Sequence, residues 1–357
     1  MSLNHVLCFD HLPVGNTDTV AAALGRGWVY GGFPGTIGTT QPTVNQTFLL
    51  SYLQDAVAGQ TAGRWLTLGS ALTPSRMDVH NWRIQQGEVF DVTTPRSIVG
   101  FRMRKIATTL AFNFVWFANT GVLNNRDDAA RFQDNVDYYV EFVIDRIENS
   151  LTVYVDGVFY KTLAMNNALL VSPTTQLIFH NTAAINTTLT TTLQLKDIYF
   201  IDDTQDSTPC TRLGAITPRR MTVSAVAAAT GWANAGTVFN GLITTAANSV
   251  TPVVSSPDSR DPVTADLAVA NVAATDRIIA ITTALSGRRT SANTAQIEPT
   301  LQLGASQRLG KNAAWATTNT MEFCKPLGVH AQAADGTPWT LAKLTASKLI
   351  LKPTLGV

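Results

Sequence analysis

The sequence predicts an all-β protein, and three observations support that fold class. Thr, Val, Asn and Gly are frequent among the 357 residues; Thr and Val suit half-buried strands, whereas Asn and Gly suit turns. Apolar and polar residues alternate in short runs, which is the period of a strand. Turn residues separate those runs. Because a chain of this length exceeds one typical domain, we expect two β-sandwich domains.

The first hundred residues have the weakest pattern. The stretch GRGWVYGGFPGTIGTT (25–40) is too rich in glycine for a continuous strand. In NQTFLLSYLQDAVAGQ (45–60) the apolar residues recur at helical spacing. That second segment therefore predicts a short helix or turn.

A strand pattern becomes clear from SIVGFRMRKI (97–106) onward. Its alternation directs Val99, Phe101 and Met103 towards a core. The next segment, LAFNFVWFAN (110–119), is apolar at both sets of alternating positions. Such a run is typical of a strand that is covered on both faces.

The most regular stretch is YYVEFVIDRIENSLTVYVDGVFYKTL (138–163), which predicts three strands joined by two tight turns. Within it, Thr152 and Tyr154 are expected to point outward, opposite to the core side. Asp156-Gly157 predicts a type I′ turn, because both central positions of that turn need positive φ. Two further strands are expected at 175–181 and 190–202.

The strand pattern stops in the polar segment DDTQDSTPC (202–210), where we place a domain boundary. The first domain then covers 1–205 and the second covers 206–357. Residues 248–276 contain prolines and little bulk, so they predict an extended loop. Residues 337–346 predict a turn and a helical loop, and short strands are expected at 219–227, 277–289, 295–304, 319–328 and 346–353.

The low and balanced charge limits the classes of function. Charged residues make up 14% of the chain and the formal net charge is +1, so we expect no nucleic-acid partner, which would require a basic face. No apolar run approaches the roughly 20 residues that cross a bilayer. The start of the chain lacks the basic and apolar regions of a signal peptide. We expect a protein that stays in the cytoplasm or assembles there, without membrane insertion.

Residue types that carry chemistry are scattered along the chain. The three Cys and five His show neither a disulfide framework nor a zinc-site spacing, so we expect no metal and no cofactor. Glu141 and Asp145 share one strand face, about 13 Å apart at the strand rise. That separation exceeds the carboxyl spacing of a retaining glycosidase. We therefore expect no enzyme, with Glu141 on a solvated strand face.

Acidic turns leave a calcium site as an alternative. Rim carboxylates can bind Ca²⁺, but Asp is also common in turns because its side chain bonds to nearby backbone. We favour the turn interpretation for both acidic groups, which are Asp127, Asp128 and Asp134, and Asp202, Asp203 and Asp206.

Large aromatic residues in the first 82 positions are the candidates for contact with a ligand or another subunit. Aromatic side chains are enriched at interfaces because they bury much area at a low entropic cost. Packing inside the fold is the alternative for each of them. The candidates are Trp28, Tyr30, Phe33, Trp65 and Trp82.

The stretch NVDYYVEFVIDRIENSLTVYVDGVFYKTL (135–163) resembles the central strands of laminin-G-like and concanavalin-A-like jelly-roll modules. Its continuation, LQLKDIYFIDD (193–203), resembles the closing strand of such a module in virion proteins of tailed bacteriophages. Phe9-Asp10 and the Gly100-Phe101-Arg102 strand match the same pattern. The resemblance implies a jelly-roll domain over 1–205.

The second domain is similar to the β domain that follows in those phage proteins. The matching features occur in the same order along both chains. They are Leu213-Gly214, Trp232, the IIAITTALSGRRT strand, Trp315 and Pro338-Trp339-Thr340.

This resemblance implies a structural component of a tailed-phage virion, in the tail, tail fibre, baseplate or collar. Such a protein would act by assembly with itself, with a trimer expected by analogy, and with other virion proteins. The expected location is the virion, assembled in the host cytoplasm. Two alternatives are open: a capsid decoration protein, and an adhesin that binds carbohydrate on the host surface.

Overall fold

A computed structural model describes residues 2–7, 51–56, 58, 60–68, 81–106, 112–117, 132–173, 175–181, 192–204, 210–219, 221–228, 232–233, 254–255, 262–269, 272–287, 295–310, 315–316 and 322–355. These residues form antiparallel sheets with a few short helices, which confirms the predicted all-β class. The described residues fall into two compact units, and the chain passes from the first to the second between Thr217 and Pro218. Residues 210–217 therefore belong with the first unit, past the boundary predicted at 205.

The first unit contains a large antiparallel sheet and a small one. Its described strands are β1 (Ser2–Leu7), β2 (Ser51–Asp55), β3 (Arg64–Leu68), β4 (Asn81–Gln85), β5 (Arg96–Ile106), β6 (Phe112–Phe117), β7 (Asp137–Asp145), β8 (Ser150–Val155), β9 (Val158–Ala164), β10 (Gln176–Asn181) and β11 (Thr192–Asp202). The large sheet has the order β2-β3-β11-β5-β7-β8-β9, and β1 also pairs with β11. The small sheet has the order β4-β10-β6. The described part of the unit also contains two single-turn helices, α1 (Gln86–Val89) and α2 (Asn167–Leu170).

The core of the first unit lies on one face of the large sheet, as the alternation predicts. Val99, Phe101 and Met103 on β5 are at most 1% exposed. Phe101 stacks on Phe142 of β7, with ring centroids 5.9 Å apart. The predicted turn between β8 and β9 is also confirmed, since Asp156 has φ 51° and Gly157 has φ 80°.

The helix predicted within 45–60 is wrong over the described part of that segment. Ser51–Asp55 forms β2, which pairs along its whole length with Arg64–Leu68. Gly63, at φ 104°, lies at the start of the returning strand. Cross-strand pairing therefore overrides the helical spacing of the apolar residues.

The second unit is also built from antiparallel strands. Its elements are β12 (Met221–Ala228), β13 (Trp232–Ala233), β14 (Val254–Ser255), β15 (Val263–Val269), β16 (Ile281–Gly287), β17 (Ala295–Leu303), β18 (Ser306–Leu309), β19 (Trp315–Ala316), β20 (Glu322–His330), α3 (Leu341–Ala346) and β21 (Lys348–Leu355). The main sheet has the order β12-β15-β21-β17-β18, with β19 paired to β17. The pairs β13-β14 and β16-β20 form two small sheets. Its core contains Ile281, Leu301, Ala333, Trp339 and Leu344.

Part of the segment predicted as an extended loop at 248–276 is a strand inside the main sheet. Val263–Val269 pairs with β12 on one side and β21 on the other. Val263 and Ala265 are buried on its inward face. Leu267 and Val269 on the same strand pack against the core cluster, so alternate positions from Val263 to Val269 are apolar, which is a strand period that the loop prediction missed.

The helical loop predicted at 337–346 is confirmed as α3. The Thr340 hydroxyl caps it by accepting a hydrogen bond from the Lys343 backbone N–H, at 3.3 Å. None of the described helices has the length and hydrophobicity needed to span a lipid bilayer.

His330, at the end of β20, is a buried ionisable residue of the second unit. It is 1% exposed, and neither ring nitrogen has a hydrogen-bond partner among the described residues. A side chain at Gly310 would place its Cβ 2.8 Å from His330 Nε2, so glycine at 310 leaves room for the ring. Burial lowers the pKa of His330 to about 4, with the charge of the nearby Arg308 as the smaller cause of this shift.

We expect this histidine to make the second unit acid-sensitive. Between about pH 6.5 and pH 4 the unfolded state binds a proton that the native state does not, so stability is lost as the pH falls through this range. The free energy of unfolding should fall by about 3 kcal/mol from this group alone. Urea denaturation of the wild type and of His330→Phe, each at pH 7 and pH 4, measures this fall in the free energy of unfolding. An equal acid loss in both proteins would contradict the assignment.

Candidate functional site

The large sheet is also covered on the face opposite to its core, and this second face carries polar and aromatic side chains. We call it the Glu141 face. Tyr139 and Glu141 on β7 lie on it, and so does Tyr199 on β11, and each of the three is at most 3% exposed. The sheet centre is therefore buried on both faces.

Glu141 is a fully buried carboxylate with three donors. Its Oε1 accepts hydrogen bonds from the Tyr199 hydroxyl at 2.5 Å and from the Gly214 backbone N–H at 3.0 Å. Its Oε2 pairs with Arg212 Nη1 at 3.0 Å. We call these four residues the Glu141 cluster. The solvated position expected for Glu141 is wrong, because the segment after β11 covers it.

Glycine at position 100 makes the cluster sterically feasible. In the sheet register, Tyr199 on β11 is opposite Gly100 on β5, which is opposite Glu141 on β7. The Tyr199 side chain crosses β5 to reach the carboxylate. A Cβ at position 100 would lie 2.2 Å from Tyr199 Cε1 and 2.8 Å from the Tyr139 hydroxyl. Only glycine permits this close approach without movement.

Both phenols of this face stay protonated. Burial raises the pKa of Tyr199, and the nearby Glu141 charge raises it further. Burial likewise raises the pKa of Tyr139, with the Tyr199 and Glu141 charges as smaller causes. Tyr199 therefore remains a hydrogen-bond donor to Glu141.

The covering segment, Cys210–Thr217, attaches to this face at three successive residues; we call it the strap. The Arg212 guanidinium lies 3.7 Å from the centroid of the Tyr154 ring while pairing with Glu141. The Leu213 N–H donates to the Tyr199 hydroxyl at 3.2 Å. Gly214 has φ 73°, and its N–H donates to Glu141 Oε1 at 3.0 Å.

Beyond the strap, the same face reaches an exposed aromatic residue. Phe159 on β9 is 59% exposed and packs edge-on against Tyr154, with centroids 6.1 Å apart. Next to this pair, the Thr152 and Thr162 hydroxyls lie 2.9 Å apart across β8 and β9. We call these four residues the aromatic edge. Within the described residues, β9 is the last strand of the large sheet.

Asp145, the second carboxylate considered in the sequence, has a structural role. Its Oδ2 pairs with Arg96 at 2.7 Å. Its Oδ1 accepts from the backbone N–H groups of Ile147 and Glu148 in the β7–β8 turn. Glu141 and Asp145 thus each bind separate structural partners.

Of the five aromatic candidates from the sequence, Trp65 has a described side chain, and it is not one of the residues of this site. Trp65 has no exposed surface; its indole N–H donates to the Thr61 carbonyl at 3.1 Å. Trp82 lies on β4, and its side chain is outside the described set. Trp28, Tyr30 and Phe33 also lie outside the described residues. Outward-pointing Tyr154 beside the Asp-Gly turn was the available signal for the aromatic edge.

The acidic candidates have structural contacts where they are described. Asp134 pairs with Lys105 at 2.9 Å. Asp202 accepts from Asn4 Nδ2 at 2.6 Å and from the Asp91 N–H at 3.0 Å. Across the described residues, no group of three or more His, Cys, Asp or Glu side chains is arranged to hold a metal ion. Asp127, Asp128 and Asp206 lie outside the described residues, and Asp203 accepts from the Cys210 N–H.

Comparison with known proteins adds no family. No protein-family model and no curated protein matches the chain. Similar solved structures include a sialidase (12% identity, TM-score 0.28, over 43% of this chain and 16% of that one). Another is from work on ganglioside-dependent cell entry of botulinum neurotoxin type C (8% identity, TM-score 0.25, over 42% of this chain and 38% of that one). A third is alginate lyase Aly36B with an alginate trisaccharide (9% identity, TM-score 0.32, over 56% of this chain and 98% of that one).

The chain spans well under half the length of the sialidase and neurotoxin chains that it matches. Because all these TM-scores are low, we base function on this chain's own residues. Its fold defines an all-β protein of antiparallel sheets.

Gly100→Ala should destabilise the first unit by about 2–4 kcal/mol, because the new methyl group overpacks the face and displaces the Tyr199 hydrogen bond. Urea denaturation measures the change. In a Tyr199→Ala background the clash with the Tyr199 ring is absent, so Gly100→Ala should lower the free energy of unfolding by clearly less. An equal cost in both backgrounds would show that the Tyr199 crossing is not the reason for glycine.

Glu141→Gln should loosen the strap while preserving the shape of the side chain. The charge-assisted bonds from Arg212 and Gly214 weaken, so the Leu213 and Gly214 amides should exchange hydrogen about ten-fold faster or more. The Val153 amide, inside β8, is the control and should not change. Unchanged exchange at residues 213 and 214 would mean that other contacts hold the strap.

Proposed function

We propose that this chain is a non-enzymatic binding protein whose first unit recognises carbohydrate at the aromatic edge, as part of a tailed-phage particle. The observation that carries the proposal is the exposed Phe159 ring, 59% of whose surface is accessible. Contact of a large apolar ring with water is unfavourable in free energy, so a partner that covers the ring is favoured.

The support behind Phe159 favours recognition over incidental exposure. Phe159 rests on Tyr154, Tyr154 on the Arg212 guanidinium, and Arg212 on the buried Glu141. A ring held in this way loses little conformational entropy when a ligand binds. Sugar rings have apolar C–H faces that can lie against an aromatic ring, with hydroxyl groups at their rims.

Assembly is the second candidate function. Val158, next to Phe159, is 65% exposed on the last described strand of the large sheet. Edge strands offer backbone groups for pairing with another chain. This supports a homo-oligomer, such as the trimer expected by analogy, or contact with other virion proteins. The sequence resemblance supports a tail, fibre, baseplate or collar position, with capsid decoration as the alternative.

A glycan array probed with the whole chain tests recognition. We expect binding that Phe159→Ala weakens at least about ten-fold, because that substitution removes the ring. Leu309→Ala is the matched control, since Leu309 is an exposed apolar residue (46%) in the second unit. Absence of binding to any glycan, together with Phe159-dependent sedimentation as an oligomer, would favour assembly instead. Immunogold labelling of intact particles tests the virion location separately.

A further inference from the structure

We infer that the aromatic edge takes a neutral saccharide of two or more units, lying along β8 and β9. This inference rests on the proposed function and assigns its ligand class. It follows from which side chains the β8–β9 register places beside Phe159.

The first step is the arrangement of the contact groups. Tyr154 is opposite Phe159, and Thr152 is opposite Thr162, so both pairs lie on the Glu141 face. Two residues along a strand span about 7 Å. The Tyr154–Phe159 pair and the Thr152–Thr162 pair therefore lie about 7 Å apart along the strands, which exceeds the length of one sugar ring. A chain of at least two sugars can stack on the ring and bond to the hydroxyls together.

The second step is a β-bulge that decides which β9 residue reaches this face. The register shifts by one residue between Val153 and Tyr154, so Val153 is opposite Lys161 and Thr152 is opposite Thr162. Without the shift, Lys161 would be opposite Thr152 and would lie on the Glu141 face. The bulge thus places the uncharged Thr162 beside the aromatic pair and Lys161 opposite the core residue Val153, and the Lys161 ammonium lies 5.1 Å from the centroid of the Tyr160 ring.

The third step concerns two other charged residues near the aromatic edge, Arg212 and Asp156, which both have partners within the chain. Arg212 pairs with Glu141 at 3.0 Å. Asp156 Oδ1 accepts from the Tyr139 N–H at 2.8 Å. An acidic sugar would need a cation that is not already neutralised, because Glu141 cancels the charge of Arg212. A neutral saccharide needs only the ring and the hydroxyls.

The test uses the whole chain on an array of neutral oligosaccharides of glucose, galactose, mannose and N-acetylglucosamine, beside acidic oligosaccharides that contain uronate or sialate. We expect binding to a neutral class, unchanged in high salt because no charge is involved. Phe159→Ala should weaken it at least about ten-fold, and Thr162→Val should weaken it less. Val suits a strand, so that variant keeps the fold. Leu309→Ala should have no effect.

The other outcomes separate the two proposals. Binding to acidic glycans only, lost in high salt, would overturn the neutral class while leaving carbohydrate recognition intact. Binding to none of the glycans would overturn both. Neutral binding that Phe159→Ala and Thr162→Val do not change would place the ligand elsewhere on the chain and overturn this assignment.

Discussion

The arrangement of the first unit depends on one buried charge, the Glu141 carboxylate. Removing a carboxylate from water costs several kcal/mol, so its donors must be present and well aligned. Tyr199, Arg212 and Gly214 supply them from β11 and from the strap. Two constraints follow: position 100 must be glycine so that Tyr199 can cross β5, and the strap must lie over β7 and β8.

The same charge fixes side chains that do not touch it. Arg212 is held at 3.0 Å from Glu141, and its guanidinium in turn lies 3.7 Å from the Tyr154 ring centroid. Tyr154 supports Phe159. A buried ionic group often adds little stability compared with an apolar replacement. Here the ionic group serves to hold other side chains in place, because an apolar replacement would leave Arg212 and the Tyr154 ring without a fixed orientation.

Sequence alone could predict the features set by neighbours in the chain. Alternation placed Phe101 in the core, where it stacks on Phe142, because a strand side chain can point to only two faces. It could not show that Glu141 is buried, since its partners Arg212 and Gly214 lie 71 and 73 positions later. It also missed β2, where pairing with β3 decides the conformation. The virion location and the jelly-roll topology stay predictions.

The aromatic edge results from two independent local devices on either side of β8. From one side, the strap fixes the Tyr154 ring through Arg212. From the other, the Asp156-Gly157 turn sets the first cross-strand pairs, and the bulge then shifts the rest of β9 by one residue. A regular hairpin would have placed Lys161 on this face and left Thr162 on the other. The core residues of β8, Leu151 and Val153, lie on the opposite face, so these two devices together set the side chains that the proposed saccharide would contact.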